Sequence, residues 1–192
     1  MKKFELTNEF ITNMFGTKLF RIRALVEFGD VEAGELGGYV EKESNLGHDD
    51  NAWVYDNAWV YGDAQVSGDA RVYDNAWVYG DAQVSGDAQV SGDALVYDNA
   101  RVYGDAQVSG DGDYAYAHGF GSVNRTTTFF RLKDGGVGVR CGCFYGTLAQ
   151  FRDKIRETHG ESAIAEEYLD LAALMEKRFR RTGNEQKTEE ES

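Results

Sequence analysis

A tandem repeat constrains the fold of this chain more than any other feature of its sequence. The segment 57–70, NAWVYGDAQVSGDA, recurs unchanged at 75–88, eighteen residues later. Each eighteen contains three units of the form (Asn/Asp)-Ala-x-Val-(Tyr/Ser)-(Gly/Asp), and ten of these six-residue units follow one another from 51 to 110. Strict short repeats are typical of solenoids, in which successive coils stack on one another and share a core.

The units predict coils of three short strands. The valine of each unit suits the centre of a half-buried strand, and the Gly, Asn and Asp residues between units suit corners because they tolerate positive φ. Three strands and three corners make one coil of eighteen residues. Valines such as Val60 and Val78 then lie about 4.8 Å apart, the spacing of neighbouring strands. The chain is therefore predicted to be mainly β, with the valines and alanines of the repeats pointing inward.

The chain is acidic, and the acidic residues are concentrated in the repeats. The formal net charge is -13, and residues 51–122 contain two basic and eleven acidic side chains, a net -9. Such a body repels nucleic acid and anionic membranes, so direct nucleic-acid binding is not expected. No apolar run is long enough to span a bilayer, and the N-terminus lacks the apolar core of a signal peptide. We therefore expect a cytoplasmic protein.

No metal or cofactor is predicted. The only cysteines, Cys141 and Cys143, lie two residues apart in a predicted strand and are poorly placed for an ordinary disulfide. We expect both to be reduced thiols without a catalytic role. A zinc site would need further Cys or His residues at ligand spacing, and the chain has only three histidines.

The N-terminal part of the chain is predicted to contain two segments. Residues 1–36 form a β cap, in which a strand over 18–28 covers the open end of the solenoid. Residues 37–122 form the solenoid itself. Val40 and Leu46 mark two degenerate units, two additional residues lie within 47–50, and a last imperfect coil follows residue 110.

The C-terminal part is predicted to contain two more segments. Residues 126–181 form a ββαα module, in which β-rich runs over 126–133 and 137–145 flank an Asp-Gly-Gly turn. Thr147 and Gln150 have the spacing of a capping box at the start of the first helix. Residues 182–192 have almost no apolar side chains and are predicted to be a disordered acidic tail.

The repeat resembles a known class. Read from its valine, the unit Val-Tyr-Gly-Asp-Ala-Gln is similar to the hexapeptide repeat of left-handed parallel β-helices, tightly over 51–110 and loosely over 37–122. Within that class the chain most resembles uncharacterised phage and bacterial hexapeptide-repeat proteins that open with a Gly-Gly-Tyr-Val-Glu segment, here residues 37–41. The resemblance implies a left-handed parallel β-helix and a phage or prophage setting, hence the host cell cytoplasm. It implies no activity.

The outward positions of the predicted coils carry many aromatic side chains. The candidate interface residues are Trp53, Tyr55, Trp59, Tyr61, Tyr73, Trp77, Tyr79, Leu95 and Tyr97. Two interpretations are open. Stacked aromatic side chains can simply stabilise the ladder of strands, or the patch can mark an interface. Homotrimerisation, common among hexapeptide-repeat proteins, is the favoured form of interface, and packing of the C-terminal module is the competing explanation.

Corner aspartates are predicted to stack in acidic columns. The columns contain Asp63 and Asp81, and Asp69, Asp87 and Asp105. Like charges about 4.8 Å apart destabilise the fold unless water, counterions or a basic partner relieve them. The acidic charge along the solenoid, about one per 2 Å, is close to the one per about 1.7 Å of duplex DNA. A nucleic-acid mimic is thus an alternative function, beside solubility and cation binding.

The resemblance also makes acyl transfer the enzymatic alternative, because many left-handed β-helices are acyltransferases that use a histidine base between subunits. His48, His118 and His159 all lie outside the regular coils, and His118 is the candidate base. A phosphate-binding glycine loop and a nucleophile elbow are absent from the sequence. We therefore predict a non-enzymatic protein that binds a protein partner or self-associates through its aromatic face. In a phage setting, antagonism of a host defence or nucleic-acid-handling protein is the natural extension.

Overall fold

The computed structural model describes the backbone of residues 2–190 and the side chains of residues 2–182. The chain divides into two compact units, Met1–Asp111 and Gly112–Ser192. The first unit contains the repeats, and the second contains an antiparallel sheet followed by two helices. In the part of the chain that the structure describes, neither helix has an apolar stretch long enough to cross a membrane.

The N-terminal cap is a set of three antiparallel strands, β1 (Phe4–Thr12), β2 (Lys18–Ala24) and β3 (Leu36–Val40). β2 ends four residues before the predicted boundary at 28, and its pairing with β3 shifts between Arg21 and Arg23. Leu19 and Ile22 are both fully buried although they are three residues apart, because the shift interrupts the alternation of buried and exposed side chains along the strand. The cap is continuous with the repeats because β3 pairs in parallel with the first regular strand of the same sheet.

Ten short strands follow, one for each unit of the repeat. They are β4 (Trp53–Val54), β5 (Trp59–Val60), β6 (Gln65–Val66), β7 (Arg71–Val72), β8 (Trp77–Val78), β9 (Gln83–Ser85), β10 (Gln89–Val90), β11 (Leu95–Val96), β12 (Arg101–Tyr103) and β13 (Gln107–Val108). They lie in three sheets, with the orders β1-β2-β3-β5-β8-β11, β13-β10-β7-β4 and β12-β9-β6, and all ten pair with one another in parallel, whereas the cap strands at the start of the first sheet are antiparallel. Every third strand pairs in register, as Trp59 with Trp77 and Val60 with Val78. The predicted β-solenoid of three-stranded coils is confirmed.

The solenoid core consists of the repeated valines and alanines. Each of them, from Ala52 to Val108, is at most 1% exposed. The corners need unusual backbone conformations, which their residues supply. Gly68 has φ 68°, and a Cβ at this position would lie 2.9 Å from the backbone nitrogen of Gly86 in the next coil. Asp74 adopts φ 58°, a left-handed conformation that short polar side chains tolerate.

The first coil is two residues longer than the others, as the sequence predicts. Val40 pairs with Val60 and Leu46 bridges to Val66, an offset of twenty residues in place of eighteen. A 3₁₀ turn over Glu43–Asn45 lies in this coil. The Asn45 side chain is fully buried and donates to the carbonyl oxygens of Gly62 at 3.0 Å and Ala64 at 2.8 Å. It therefore satisfies two acceptors that the irregular coil leaves without strand partners.

The second unit differs from the prediction at its start. The expected last coil after residue 110 is wrong, because β14 (Tyr114–Phe120) pairs antiparallel with β15 (Arg125–Arg131), and Tyr114 lies opposite Phe130. The repeated valine is missing here, so the segment cannot extend the solenoid core. The run over 137–145 forms two strands, β16 (Val137–Cys141) and β17 (Phe144–Thr147), because the chain turns at Gly142 and Cys143. These two strands complete a four-stranded antiparallel sheet with β14 and β15.

Two helices follow this sheet, α1 (Leu148–His159) and α2 (Ala163–Glu190). The capping box at the start of α1 is confirmed, since Gln150 N donates to Thr147 Oγ1 and Thr147 N donates to Gln150 Oε1. Phe129 of the sheet and Phe151 and Tyr168 of the helices share one buried cluster. α2 extends to Glu190, into the segment 182–192 for which a disordered tail is predicted. Residues 191 and 192 lie outside the described residues.

Candidate functional site

Two columns of large side chains lie on one sheet of the solenoid, and we call them together the aromatic face. The first column is Trp59, Trp77 and Leu95, and the second is Tyr61, Tyr79 and Tyr97. The indole rings of the first column are 4.5 Å apart and 5° from parallel. In the second column the successive ring distances are 5.1 and 5.4 Å. All six side chains are half-buried, so each keeps an outer edge in solvent.

The register of the coils produces this stacking. Val60 and Val78 point inward on successive strands, which turns the residues on either side of each valine outward. Main-chain hydrogen bonds between coils fix the register. Tyr61 N donates to Val78 O at 3.0 Å, and Tyr79 N donates to Val96 O at 2.9 Å. The expected neighbours Trp59 and Trp77 are therefore in direct contact on adjacent coils.

The aromatic face carries no charge of its own at neutral pH. Burial raises the pKa of Tyr61, and the neighbouring Tyr79 adds to this effect. Burial likewise raises the pKa of Tyr79, with further contributions from Tyr97 and from the carboxylates of Asp98 and Asp111. The hydroxyls of Tyr61 and Tyr79 stay protonated, so the face offers apolar ring edges together with hydrogen-bond donors.

The cap closes one end of the aromatic face, at Tyr39. This residue is paired with Trp59 and is 8% exposed. The Arg21 guanidinium lies over the Tyr39 ring at 5.2 Å and donates to its hydroxyl at 3.1 Å, and that hydroxyl donates to Glu9 at 3.2 Å. Tyr39 was not among the predicted interface residues, although its pairing with Trp59 makes it a member of the first column. The offset of twenty residues in the first coil is the signal that could have placed it.

Trp53 is not a surface residue, so its inclusion among the interface residues is wrong. It is fully buried, with Phe28 and Phe4 edge-on at 5.3 and 6.2 Å between ring centres. The repeat alone places Trp53 at an outward position. The N-terminal cap covers that position, and because the cap is distant in sequence, the repeat pattern gives no indication of it.

Tyr55 and Tyr73 lie on the same sheet as Trp53 and make contacts within the chain. The Tyr55 hydroxyl donates to Asp30 at 3.3 Å, and Arg71 pairs with the same carboxylate at 3.0 Å. Burial, followed by the charge of Asp30, raises the pKa of Tyr55 to about 12. The Tyr73 hydroxyl donates to Gln89 at 3.3 Å. Six of the nine predicted interface residues therefore lie on the aromatic face, whereas Trp53, Tyr55 and Tyr73 lie on another sheet.

The acidic columns lie on exposed corners of the coils. Asp63 pairs with Lys42 at 2.7 Å, and this hydrogen bond holds the pKa of Asp63 below its usual value. Asp69 accepts a hydrogen bond from Asn51 at 2.7 Å. Among residues 2–182, no basic side chain lies within ion-pair distance of the remaining three, Asp81, Asp87 and Asp105. No group of three potential metal ligands converges in the described part of the chain.

The three histidines lie in separate local environments. His48 stacks on Phe4 at 4.5 Å and its Nδ1 accepts the main-chain N–H of Lys3. His118, the candidate base, is exposed on β14, and its Nδ1 lies 2.9 Å from Thr126 Oγ1. His159 ends α1 and packs on Tyr168. Each of them therefore has a local packing or hydrogen-bonding partner.

Comparison with known proteins supports the repeat alone. Residues 64–80, 88–104 and 96–110 match a family model described as the YdcK β-solenoid repeat. No curated protein matches the chain. The matched segments all lie within the regular coils, where valine and alanine recur. Register, core and repeat match together identify a β-solenoid repeat protein.

Proposed function

We propose that this chain is a non-enzymatic interaction protein of phage or prophage type that binds a protein partner through its aromatic face in the host cytoplasm. The stacked, half-exposed columns of Trp59, Trp77 and the three tyrosines carry the proposal. Tryptophan and tyrosine are enriched among residues that dominate binding energy at protein interfaces. A contiguous aromatic patch of this kind is typical of an interface.

Preorganisation supports the same proposal. The aromatic side chains are held by their neighbours in the stack and by a rigid ladder of main-chain bonds. Ordering flexible side chains on binding costs about 0.5–1.5 kcal/mol each, and a stacked column avoids most of this cost. The face can thus bind with little rearrangement of the solenoid.

Charge favours a basic partner over a second copy of the chain. The aromatic face is flanked by the corner aspartates of a body with a net charge of -9 over residues 51–122. Two such bodies repel each other, whereas a partner with a basic rim around an apolar patch is attracted. A basic surface is typical of nucleic-acid-handling proteins, and a host protein of that kind is the partner we propose. The homotrimer expected from the resemblance is the alternative occupant of the face.

The test compares two double variants at matched positions. Trp59→Ala with Trp77→Ala truncates the aromatic face, and Gln65→Ala with Gln83→Ala truncates exposed side chains at the same repeat position on another sheet. Each protein is used to capture a partner from host lysate, and the affinity is then measured by calorimetry. We expect the tryptophan variant to lose about tenfold or more in affinity and the glutamine variant to bind normally. Equal affinities for all three proteins would refute the proposal, and light scattering of the chain alone would reveal a trimer.

The acidic columns support a second candidate function, a mimic of nucleic acid. The supporting observation is that Asp81, Asp87 and Asp105 are exposed without a basic neighbour in the described part of the chain. Its test is the triple variant Asp69→Asn, Asp87→Asn and Asp105→Asn, with affinity for the captured partner measured at several salt concentrations. A mimic loses affinity in the variant and its binding falls steeply with salt. An affinity that responds to neither change excludes mimicry and leaves the aromatic face as the binding site.

A further inference from the structure

The second unit contains a cavity of about 240 Å³ that the proposed function does not use. Its walls come from α1, from Tyr168 of α2 and from the sheet strands β15 to β17. Phe144, Phe151 and Ile155 are apolar residues of the lining, and their side chains belong to or pack against the buried cluster of this unit. A concave site with an apolar lining and a few convergent polar groups is typical of a small-molecule site.

Arg125 is the most informative polar group at this cavity. Its guanidinium packs on the turn between β16 and β17, where a Cβ at Gly142 would lie 1.8 Å from Arg125 Nη1. The absence of a side chain at Gly142 therefore makes room for the guanidinium. Arg125 is half-buried, and among residues 2–182 no carboxylate lies within ion-pair distance of it. A partly desolvated cation without a counterion is unfavourable, and a bound anion would relieve this cost.

Lys154 supplies a second positive charge at the same cavity. It is exposed on α1 and pairs with Glu157 at 2.9 Å. Exposed pairs three residues apart on a helix contribute little to stability, so this ammonium group can turn to a ligand at small cost. The cavity thus combines a half-buried and an exposed cation with the buried side chains of Phe151 and Ile155.

Tyr168, which also lines the cavity, favours a ligand with a hydrogen-bond acceptor. Burial, and then the neighbouring Cys141, raises the pKa of Tyr168 to about 12, so its hydroxyl remains a donor at neutral pH. The Cys141 thiol is buried and accepts a hydrogen bond from Thr127 at 3.1 Å. Glu167, the acidic neighbour of Tyr168, accepts the main-chain N–H of Gly121 at 2.6 Å. Glu167 is thus already engaged, whereas no carboxylate pairs with Arg125 in the described part of the chain.

We propose that this cavity binds a small amphipathic carboxylate, with its acid group on Arg125 and Lys154 and its apolar body against Phe144, Phe151 and Ile155. A volume of 240 Å³ equals about eight water molecules at roughly 30 Å³ each, enough for a medium-chain or an aryl-substituted acid. Aliphatic and aromatic acids share the recognised chemistry, so the test includes both.

The test uses the full chain, calorimetry and three probes: octanoate, its neutral amide octanamide, and 4-phenylbutyrate. We expect at least one of the two acids to bind. If octanoate binds, octanamide should bind about tenfold or more weakly, because loss of a charge-assisted contact has about this effect. Binding of octanoate alone identifies an aliphatic ligand, and binding of 4-phenylbutyrate alone identifies an aromatic one. If neither acid binds, or if octanamide binds as well as octanoate, the proposal is wrong.

Four variants locate the site. Arg125→Gln is expected to abolish most of the acid binding, and Arg125→Lys to restore part of it. Thr158→Trp fills the opening from an exposed position of α1, so it blocks binding without touching the core. Lys133→Gln removes one charge from an exposed turn outside the cavity and is expected to bind normally. Acid binding that survives both Arg125→Gln and Thr158→Trp would place the ligand elsewhere and overturn the assignment.

Cys143 provides a readout that is independent of calorimetry. It lines the cavity and is exposed, whereas Cys141 is buried, and both thiols are free. Neutral iodoacetamide should therefore alkylate Cys143, and saturating acid should slow this reaction in the wild type but not in Thr158→Trp. An alkylation rate that the bound acid leaves unchanged in the wild type would contradict the assigned position.

Discussion

Truncation of one central valine should destabilise the solenoid by a predictable amount. Val78 is fully buried and lies between Val60 and Val96 on the neighbouring strands. Val78→Ala removes the equivalent of two methylene groups, worth about 0.8 kcal/mol each in transfer free energy. The cavity left between rigid coils adds to this, so we expect the free energy of unfolding to fall by about 2–3 kcal/mol.

Tryptophan fluorescence during urea unfolding measures this effect on the first unit alone, because all three tryptophans lie within it. Gln83→Ala is the matched control, since Gln83 is exposed one strand further along the chain and its loss should cost less than about 0.5 kcal/mol. If Val78→Ala were as harmless as this control, the valines would not form the core that holds the coils together.

Three further changes test other parts of the first unit. Gly68→Ala should destabilise it by about 1–3 kcal/mol, since φ is 68° and the next coil leaves no room for a Cβ, whereas Gly110→Ala should be neutral because nothing lies within 4 Å of its Cβ position. Asn45→Ala should cost about 2–3 kcal/mol by leaving two carbonyls without a donor, measured by the same urea unfolding. Burial lowers the pKa of Lys3 from 10.5 to about 8, so between these values the unfolded chain binds more protons and stability should rise with pH. Lys3→Met should remove that rise, and a pH profile identical to that of the wild type would show that Lys3 is not its source.

The coil register was predictable from sequence because one side chain, valine, recurs at an invariant spacing. The geometry of stacked strands is enough to predict that Val60 and Val78 are neighbours in the core, and the same geometry predicts that Trp59 stacks on Trp77. The two additional residues of the first coil were predictable for the same reason, since they interrupt that spacing before residue 51. Left-handedness was inferred from the resemblance and stays a prediction.

The contacts that the sequence did not reveal depend on segments far apart in the chain. Trp53 occupies a repeat position that looks outward, and only the packing of Phe4 and Phe28 from the cap makes it buried. Arg125 and Gly142 likewise lie in a segment without a repeat, so their contact follows from the hairpin geometry of β15 to β17. Periodicity locates residues within regular coils, whereas tertiary packing decides exposure where the period ends.

The most direct test of the aromatic face as a binding surface is acrylamide quenching of tryptophan fluorescence with and without the captured partner. Trp53 is fully buried and contributes little to quenching, so the signal reports the half-buried Trp59 and Trp77. We predict that saturating partner reduces the quenching constant toward that of a fully buried indole. An unchanged quenching constant at saturation would show that the partner binds elsewhere and would contradict the proposed role of the aromatic face.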